Sequence, residues 1–316
     1  MIDVKAVAER LQKLYRKEYK DDRAERIICT GDVIKRDYTD ADVIPLAADH
    51  PIRKATNLPG IPFNKIVQIA GNPDTGKSTI AALSMIAAQE SGAQVILWDA
   101  EEKFDAFRFE ALGGKAESLL LARTNEILKG GELIRNYINT CKEQDPDCKI
   151  LVVWDSVGAS QSRSHAERQL DSEKHQQPGQ DAKENGSVCK MLSALFSQYP
   201  DSLCVLLINQ VYDKIGFGQK GQAATGGKKI EFHSSLIIHM KREKIISKKV
   251  DKLFVKTGII SKLTVAKNHL SQDPNSIYQM NFFISFDAMT VCDSAFKKKE
   301  DEVEEVETDE SETDES

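Results

Sequence analysis

Uninterrupted apolar runs alternate with helical stripes along most of this chain. Lys65–Ala70 reads as a short strand leading into a glycine turn. Ser78–Glu90 places Ile80, Leu83, Ile86 and Ala87 on one face, the spacing of an amphipathic helix. Val95–Trp98 is a strand ending at Asp99. Leu119–Leu121 is another, and Ile127–Cys141 a helix. Ile150–Trp154 runs unbroken to Asp155. Lys190–Gln198 is helical, and Leu203–Ile208 is fully apolar. Such runs suit parallel strands buried on both faces, and the alternation predicts an α/β fold with a mostly parallel, doubly wound sheet. Leu236–Met240, Leu263–Ala266 and Asn281–Phe286 predict an antiparallel extension.

Residues 3–20 read as a helix, with Val4, Val7, Leu11, Leu14 and Tyr15 in one stripe. It either packs on its own domain or docks as an arm on a neighbouring subunit. Two polar stretches, 161–186 and 212–228, interrupt the pattern. Both follow strand ends, where open parallel sheets put their binding sites. The expected division is a helix and linker over 1–48, a core over 49–296 and a tail over 297–316.

Charge changes the picture. The 316 residues carry 43 Lys+Arg and 49 Asp+Glu, a formal net charge of −6. That sum argues against a nucleic-acid binder, but its distribution does not. Residues 300–316 hold 11 acids and no base, so residues 1–299 carry +5. The tail composition is that of a disordered segment. The six cysteines include no C-x-x-C pair and read as reduced thiols. No apolar run approaches the roughly 20 residues of a membrane span, and the first residues lack a signal-peptide core. A cytoplasmic protein is expected.

The chemistry centres on Gly71-Asn72-Pro73-Asp74-Thr75-Gly76-Lys77-Ser78, a full G-x-x-x-x-G-K-[ST] match between a strand and a helix. Gly71 and Gly76 allow the backbone to wrap phosphate with N–H groups, and the helix start adds its positive end. Lys77 reaches the β- and γ-phosphates, and the Ser78 hydroxyl binds Mg²⁺. ATP and Mg²⁺ are the expected cofactors. Asp155, at the end of a buried strand, would meet Mg²⁺ and its waters. Glu101 lies beside the γ-phosphate if its strand neighbours the loop strand; it then polarises the attacking water, and otherwise is a solvated strand-end acid. Gln210 is either a γ-phosphate switch or a strand cap.

These pieces, in this order, resemble the RecA family of homologous-recombination ATPases. The resemblance spans roughly residues 50–292 and rests on Gly71–Thr79, Asp99-Ala100-Glu101, Val152–Val157, Ile208-Asn209-Gln210, Lys214-Ile215-Gly216, Thr225-Gly226-Gly227 and Val265-Ala266-Lys267-Asn268. It implies a P-loop ATPase core of the RecA type. By that resemblance Glu101 is the general base, Asp155 the Mg²⁺-water ligand and Gln210 the γ-phosphate sensor. Thr79 belongs to the phosphate loop, and Asp105 contacts the adenine edge. The stretches 161–186 and 212–228 are DNA-binding loops. Lys190 is a basic contact after the first, and Ile215 a wedge between bases. Gly226 and Gly227 let a helix start approach a phosphate. Lys267 offers a cation to the γ-phosphate of the adjacent subunit.

The departures are specific. His269 stands where the family has a second lysine, and a histidine is only partly charged at neutral pH. Arg108 replaces the adenine-stacking tyrosine and can stack through its guanidinium plane. Pro73-Asp74 replaces a glutamate-containing loop centre, and Tyr212 a basic residue. With the last core-like strand expected to end near Asp287–Val291, no counterpart of the globular C-terminal domain of bacterial members is expected, a build similar to some phage-encoded recombinases.

Single-strand binding needs cations for phosphates and apolar groups for bases. The second loop supplies Lys214, Ile215, Gly216, Phe217, Lys220 and Lys228, with Lys229 just beyond. A denser basic run, Lys241 to Lys256, is either a solvated face or a hairpin carrying duplex DNA. The expected partners are single-stranded DNA, homologous duplex DNA and further copies in a helical filament, with a single-strand-binding protein or loader as accessory. The expected activity is ATP-dependent strand exchange. A paralog or mediator without strand exchange, and a ring-forming helicase of the same core, are the alternatives. The acidic tail, tethered by Lys297-Lys298-Lys299, is expected to compete with DNA for the basic surface. Deleting residues 300–316 should raise duplex-DNA affinity at low salt; equal affinities throughout a salt titration would refute that competition.

Overall fold

The computed structural model describes residues 3–20, 24–28, 38–165, 179–213, 222–250, 253–270, 279–285 and 291–293. It divides into two compact units, residues 1–38 and 39–316. In the first, α1 (Val4–Tyr19) starts where the Asp3 carboxylate accepts from the Lys5 and Ala6 N–H groups. A short α2 (Ala24–Ile27) follows, and the pair is joined by the Arg16–Glu25 ion pair at 2.6 Å. The apolar stripe is there as the spacing predicts, but α1 buries none of its residues.

The second unit is the α/β core. Its elements run β1 (Val43–Pro45), α3 (Pro51–Thr56), β2 (Gly60–Pro62), β3 (Ile66–Gly71), α4 (Lys77–Glu90), β4 (Gln94–Asp99), α5 (Ala106–Ala111), β5 (Leu119–Ala122), α6 (Ile127–Gln144) and β6 (Ile150–Asp155). They continue as α7 (Gln180–Gln198), β7 (Leu203–Asp213), β8 (Gln222–Ala224), α8 (Lys228–His233), β9 (Leu236–Val250), β10 (Leu253–Asn268), β11 (Gln279–Ser285) and β12 (Val291–Asp293). The main sheet has the order β12-β11-β10-β9-β3-β7-β6-β4-β5, with β8 paired to β7. From β9 through β5 the pairings are parallel; from β9 outward to β12 they are antiparallel. The doubly wound sheet with its antiparallel extension is therefore as the pattern predicts.

Three differences of extent have clear causes. The helix expected at Lys190–Gln198 begins at Gln180, because Glu184, Asn185, Gly186 and Val188 are buried within it. The end of the polar stretch 161–186, from Gln180 on, is thus helix. Strand β7 continues past its apolar run to Asp213, where it pairs with β8. Strands β9 and β10 extend far beyond Leu236–Met240 and Leu263–Ala266 as one long hairpin. Its outer part exposes Lys248, Lys249, Leu253, Phe254 and Lys256, and the Lys249 ammonium lies 5.9 Å from the centre of the Phe254 ring. The basic run is therefore a hairpin.

Packing is fixed on one side of the sheet by two stacked indoles. Trp98 and Trp154, on adjacent strands, lie 4.0 Å apart with their planes 9° from parallel. Each indole N–H has a partner, the Thr124 carbonyl at 2.7 Å and the Ser160 hydroxyl at 2.9 Å. Helix α6 crosses them at Gly130, where a Cβ would fall 2.0 Å from the Trp98 ring. A helix interior ordinarily disfavours glycine; here close approach requires it. The cysteines Cys141, Cys148, Cys189 and Cys204 are free thiols. No described helix is long and apolar enough to cross a membrane.

Helix α4 is anchored at its back by His50. This buried imidazole caps α3, Nδ1 accepting from the Ile52 N–H at 3.2 Å, while Nε2 lies 3.3 Å from the Ser84 hydroxyl of α4. Burial pushes its pKa down to about 4, against Asp49 and a backbone bond at Ile80. The unfolded chain, whose histidine titrates near 6.5, therefore binds more protons between those values. Stability contributed by the neutral ring is complete above pH 6.5 and lost as pH falls towards 4, by up to about 3 kcal/mol. Urea unfolding of wild type and His50→Asn at pH 7, 6, 5 and 4 should show the variant losing less stability over this range. Parallel losses in both proteins would refute the assignment.

Candidate functional site

The phosphate-loop sequence bridges β3 and α4, as expected. Gly71 closes β3 against β9, where a Cβ would sit 2.3 Å from the Met240 carbonyl oxygen. Gly76 adopts φ 86° and Asp74 φ 57°, both left-handed. Inside the loop the Asn72 carbonyl accepts from the Lys77 ammonium at 2.6 Å and the Thr75 hydroxyl at 3.0 Å. The Ser261 hydroxyl of β10 donates to the Thr75 carbonyl at 2.8 Å. The antiparallel extension thus braces the loop from outside. Burial pushes the Lys77 ammonium down, against the pull of Asp155, Glu101 and Asp74.

Asp155 ends β6. Burial pushes its carboxyl up to about 6; a bond from Ser78 and the Lys77 charge work against this, while Glu101 and Asp99 add to it. Hydroxyl and carboxylate are hard oxygen donors, the set Mg²⁺ takes when phosphates and water complete its shell. Ser78 and Asp155 therefore fit such a cation by the chemistry of their oxygens.

The placement of Glu101 beside the γ-phosphate was conditional on its strand neighbouring the loop strand, and that condition is not met. Two strands, β7 and β6, separate β4 from β3. The carboxylate crosses that gap through its partners. Its Oε1 accepts from the Ser156 hydroxyl at 2.6 Å and from Gln210 Nε2 at 3.1 Å; its Oε2 accepts from the Lys103 ammonium at 2.7 Å. Burial pushes the Glu101 carboxyl up, but the bonds from Lys103, Ser156 and Gln210 outweigh it and hold the group below its usual range. Glu101 is thus an ionised acid in a donor cage, not a solvated strand end.

Gln210 lies in β7, beside Gly71 in the parallel register. Its side chain serves Glu101, while its carbonyl accepts from both the N–H and the hydroxyl of Thr225, at 2.9 and 3.0 Å. Asn209 Nδ2 donates to the Thr225 carbonyl at 2.8 Å. One residue therefore connects Glu101 to the turn at Gly226 and Gly227, both at φ 86°.

An open cavity of about 290 Å³ unites this chemistry. Its walls include Ser78, Thr79, Glu101, Asp105, Arg108 and Asp155. The Asp105 carboxylate caps α5 by accepting from the Arg108 N–H, and the Arg108 guanidinium donates to the Thr79 hydroxyl at 3.4 Å. Lys267 is not brought to this cavity's walls: its ammonium caps α8, donating to the Glu231 and Ser234 carbonyls at 2.8 and 2.6 Å. Lys190, exposed on α7, and Lys229 both push the half-buried His233 down, after burial itself. Lys228, also exposed, opens α8. Lys214, Ile215, Gly216, Phe217 and Lys220 lie outside the described residues.

Sequence reasoning missed Ser156 and Lys103, although both adjoin residues it chose. It also missed the work of Asp99, whose buried carboxylate accepts from the Lys103 and Phe104 N–H groups at 3.1 and 3.0 Å and shapes the turn that presents Glu101.

A buried parallel strand, a glycine-lysine loop and an acid closing a strand two places away define a P-loop core of the α/β class. The chain belongs to the RecA family, since the RecA N-terminal domain model matches residues 22–286. It is 31% identical over 222 residues to Protein RecA of Mycoplasma pneumoniae, covering 69% of this chain and 61% of that protein. Protein RecA of Mycoplasma genitalium is 32% identical over 216 residues, covering 67% and 59%. That of Ureaplasma parvum is 28% identical over 233 residues, covering 73% and 65%. The chain thus spans about three-fifths of the length of these relatives.

Gly71→Ala should test the loop's dependence on its neighbour strand. A carbonyl oxygen cannot swing aside as a side chain can, so the unfolding midpoint should fall by the equivalent of about 1–3 kcal/mol, with ATP affinity reduced. Wild-type stability and affinity together would contradict this account.

Proposed function

We propose that this protein is an ATP-dependent DNA recombinase that polymerises on single-stranded DNA and promotes homologous pairing and strand exchange. The observation that carries the reading is Gln210, with its side chain on Glu101 and its backbone on Thr225. A γ-phosphate that attracts the Gln210 amide pulls on the turn closing the second DNA loop. Hydrolysis removes that attraction, so nucleotide state and DNA grip are coupled.

In the ATPase step the Lys77 ammonium exchanges the Asn72 carbonyl for phosphate oxygens. Ser78 and Asp155 would hold Mg²⁺, which neutralises charge on the phosphates. Glu101 orients water and accepts its proton. Asp105 and Arg108 line the cavity beyond Thr79, on the side suited to the adenine. On the DNA side, Lys190, Lys214, Ile215, Gly216, Phe217, Gly226, Gly227 and Lys228 contact a single strand. The exposed lysines of the β9–β10 hairpin suit the phosphates of a duplex. Lys267 reaches a neighbouring subunit's nucleotide only by leaving its cap on α8. That cap, with His269 where a second cation is expected, favours a second reading: an ATP-binding mediator that exchanges no strands.

Purified protein with ATP and single-stranded DNA should form helical filaments by electron microscopy and hydrolyse ATP faster than without DNA. Lys77→Ala should abolish both. Filaments and stimulated hydrolysis without strand exchange would select the mediator; closed rings would overturn the filament reading.

A further inference from the structure

Glu101 accepts from three donors: Ser156 and Gln210 on one oxygen, Lys103 on the other. A carboxylate has about four lone-pair sites, so the Lys103 ammonium shares Oε2, the oxygen with room for water. Departure of a donor would clear the carboxylate and make it a better base. The three differ in how easily they can leave. Ser156 is buried behind Asp155, and Gln210 is held through its backbone by Thr225. The Lys103 side chain is 77% exposed. Its backbone is fixed, since Lys103 N–H donates to the buried Asp99, but its ammonium swings on a free stem. Exposed ion pairs stabilise little, so exchanging the partner costs little.

Lys103 also has somewhere to go. It lines the same cavity as Ser78, Glu101 and Asp155. The acids that face this region are Asp74, Asp99, Glu101, Asp105 and Asp155; the cations are Lys77, buried in the loop, Arg108 at the Thr79 side, Arg242, 3.9 Å from the Asp74 carboxylate, and Lys103. ATP brings further negative charge to a mouth where Lys103 is the exposed cation beside the acid.

The geometry points to Lys103 as a second cation of the ATP site, supplied by the same subunit, which locks Glu101 at rest and transfers to the terminal phosphate when ATP binds. The transfer frees Glu101 Oε2. Water oxygen then bonds to the γ-phosphorus as the bond to the bridging oxygen breaks. That bond's electron pair leaves with ADP, and the water proton passes to Glu101. Lys103 thus stabilises charge where the sequence has His269 in place of a second cation from the neighbour. The inference rests on the ATPase reading above.

The test compares wild type, Lys103→Met and Lys103→Arg by steady-state ATPase kinetics and by calorimetric titration with ADP and with ATPγS. Lys103→Met should lower kcat at least about ten-fold, as loss of a charge-stabilising donor does. It should weaken ATPγS but leave ADP affinity within about two-fold, and Lys103→Arg should recover most of kcat. A Met variant as fast as or faster than wild type would overturn the transfer. So would equal weakening of ADP and ATPγS, the mark of a merely structural residue. A wild-type protein that hydrolyses no ATP, with or without DNA, would sink the ATPase reading and this proposal with it.

Discussion

Two carboxylates, Asp99 and Asp155, face each other in register at the ends of adjacent parallel strands. Like charges so placed repel, and burial removes the water that would screen them. The structure resolves the conflict by giving each a different set of donors. Asp99 takes two backbone N–H groups from the turn that follows its own strand. Asp155 takes the Ser78 hydroxyl and the field of Lys77. The first set folds the turn that carries Glu101 and Lys103. The second ties the phosphate loop to the middle of the sheet. Most of the site's geometry follows from that division.

The same parallel register aligns a row of groups at one sheet edge. Gly71 pairs with Gln210, and Asp155 with Asp99. Strands β3 and β4 are too far apart in the sheet for their end residues to be neighbours, yet Gln210 on β7, the strand next to β3, joins them by reaching Glu101 past β6. A chain of short bonds then runs from Glu101 through Gln210 to Thr225 and the glycine turn. Under the proposed function this chain is the route by which nucleotide state would reach the turn. Glycine at 158 keeps that route open, since a Cβ there would press on the Gln210 side chain at 3.3 Å.

What the sequence made legible follows from the range of each interaction. Continuous apolar runs predict buried parallel strands because burial on both faces disfavours polar residues; Ile150–Trp154 and Leu203–Ile208 obey this, while Ile66–Ala70 departs from it at the buried Gln68, whose amide oxygen accepts from the Ser234 hydroxyl. The phosphate loop was legible because its chemistry is local. Helix α7 was read too short because its first half is polar: Glu184 and Asn185 are buried by tertiary contact, which composition does not reveal. Hairpin β9–β10 was read too short for the opposite reason, its outer half being exposed and basic. Strand order was beyond reach, and with it the true partners of Glu101. Ser156 and Lys103 matter only because β6 and the turn after β4 converge, a fact of topology.

Charge at the site follows one further rule. Five acids, Asp74, Asp99, Glu101, Asp105 and Asp155, stand around the proposed nucleotide site, an unfavourable setting for a polyanion unless cations arrive with it or are already present. Arg242 lies 3.9 Å from Asp74, and burial weakens the hold of Lys77 on its proton, so the cations of the loop do not balance the acids alone. The arrangement suits a substrate that comes with a divalent cation, since the dication would satisfy Asp155 while the phosphates would satisfy Lys77. By the proposed function, nucleotide with its metal would relieve these acids together, which no one of Lys77, Arg108 and Lys103 does alone.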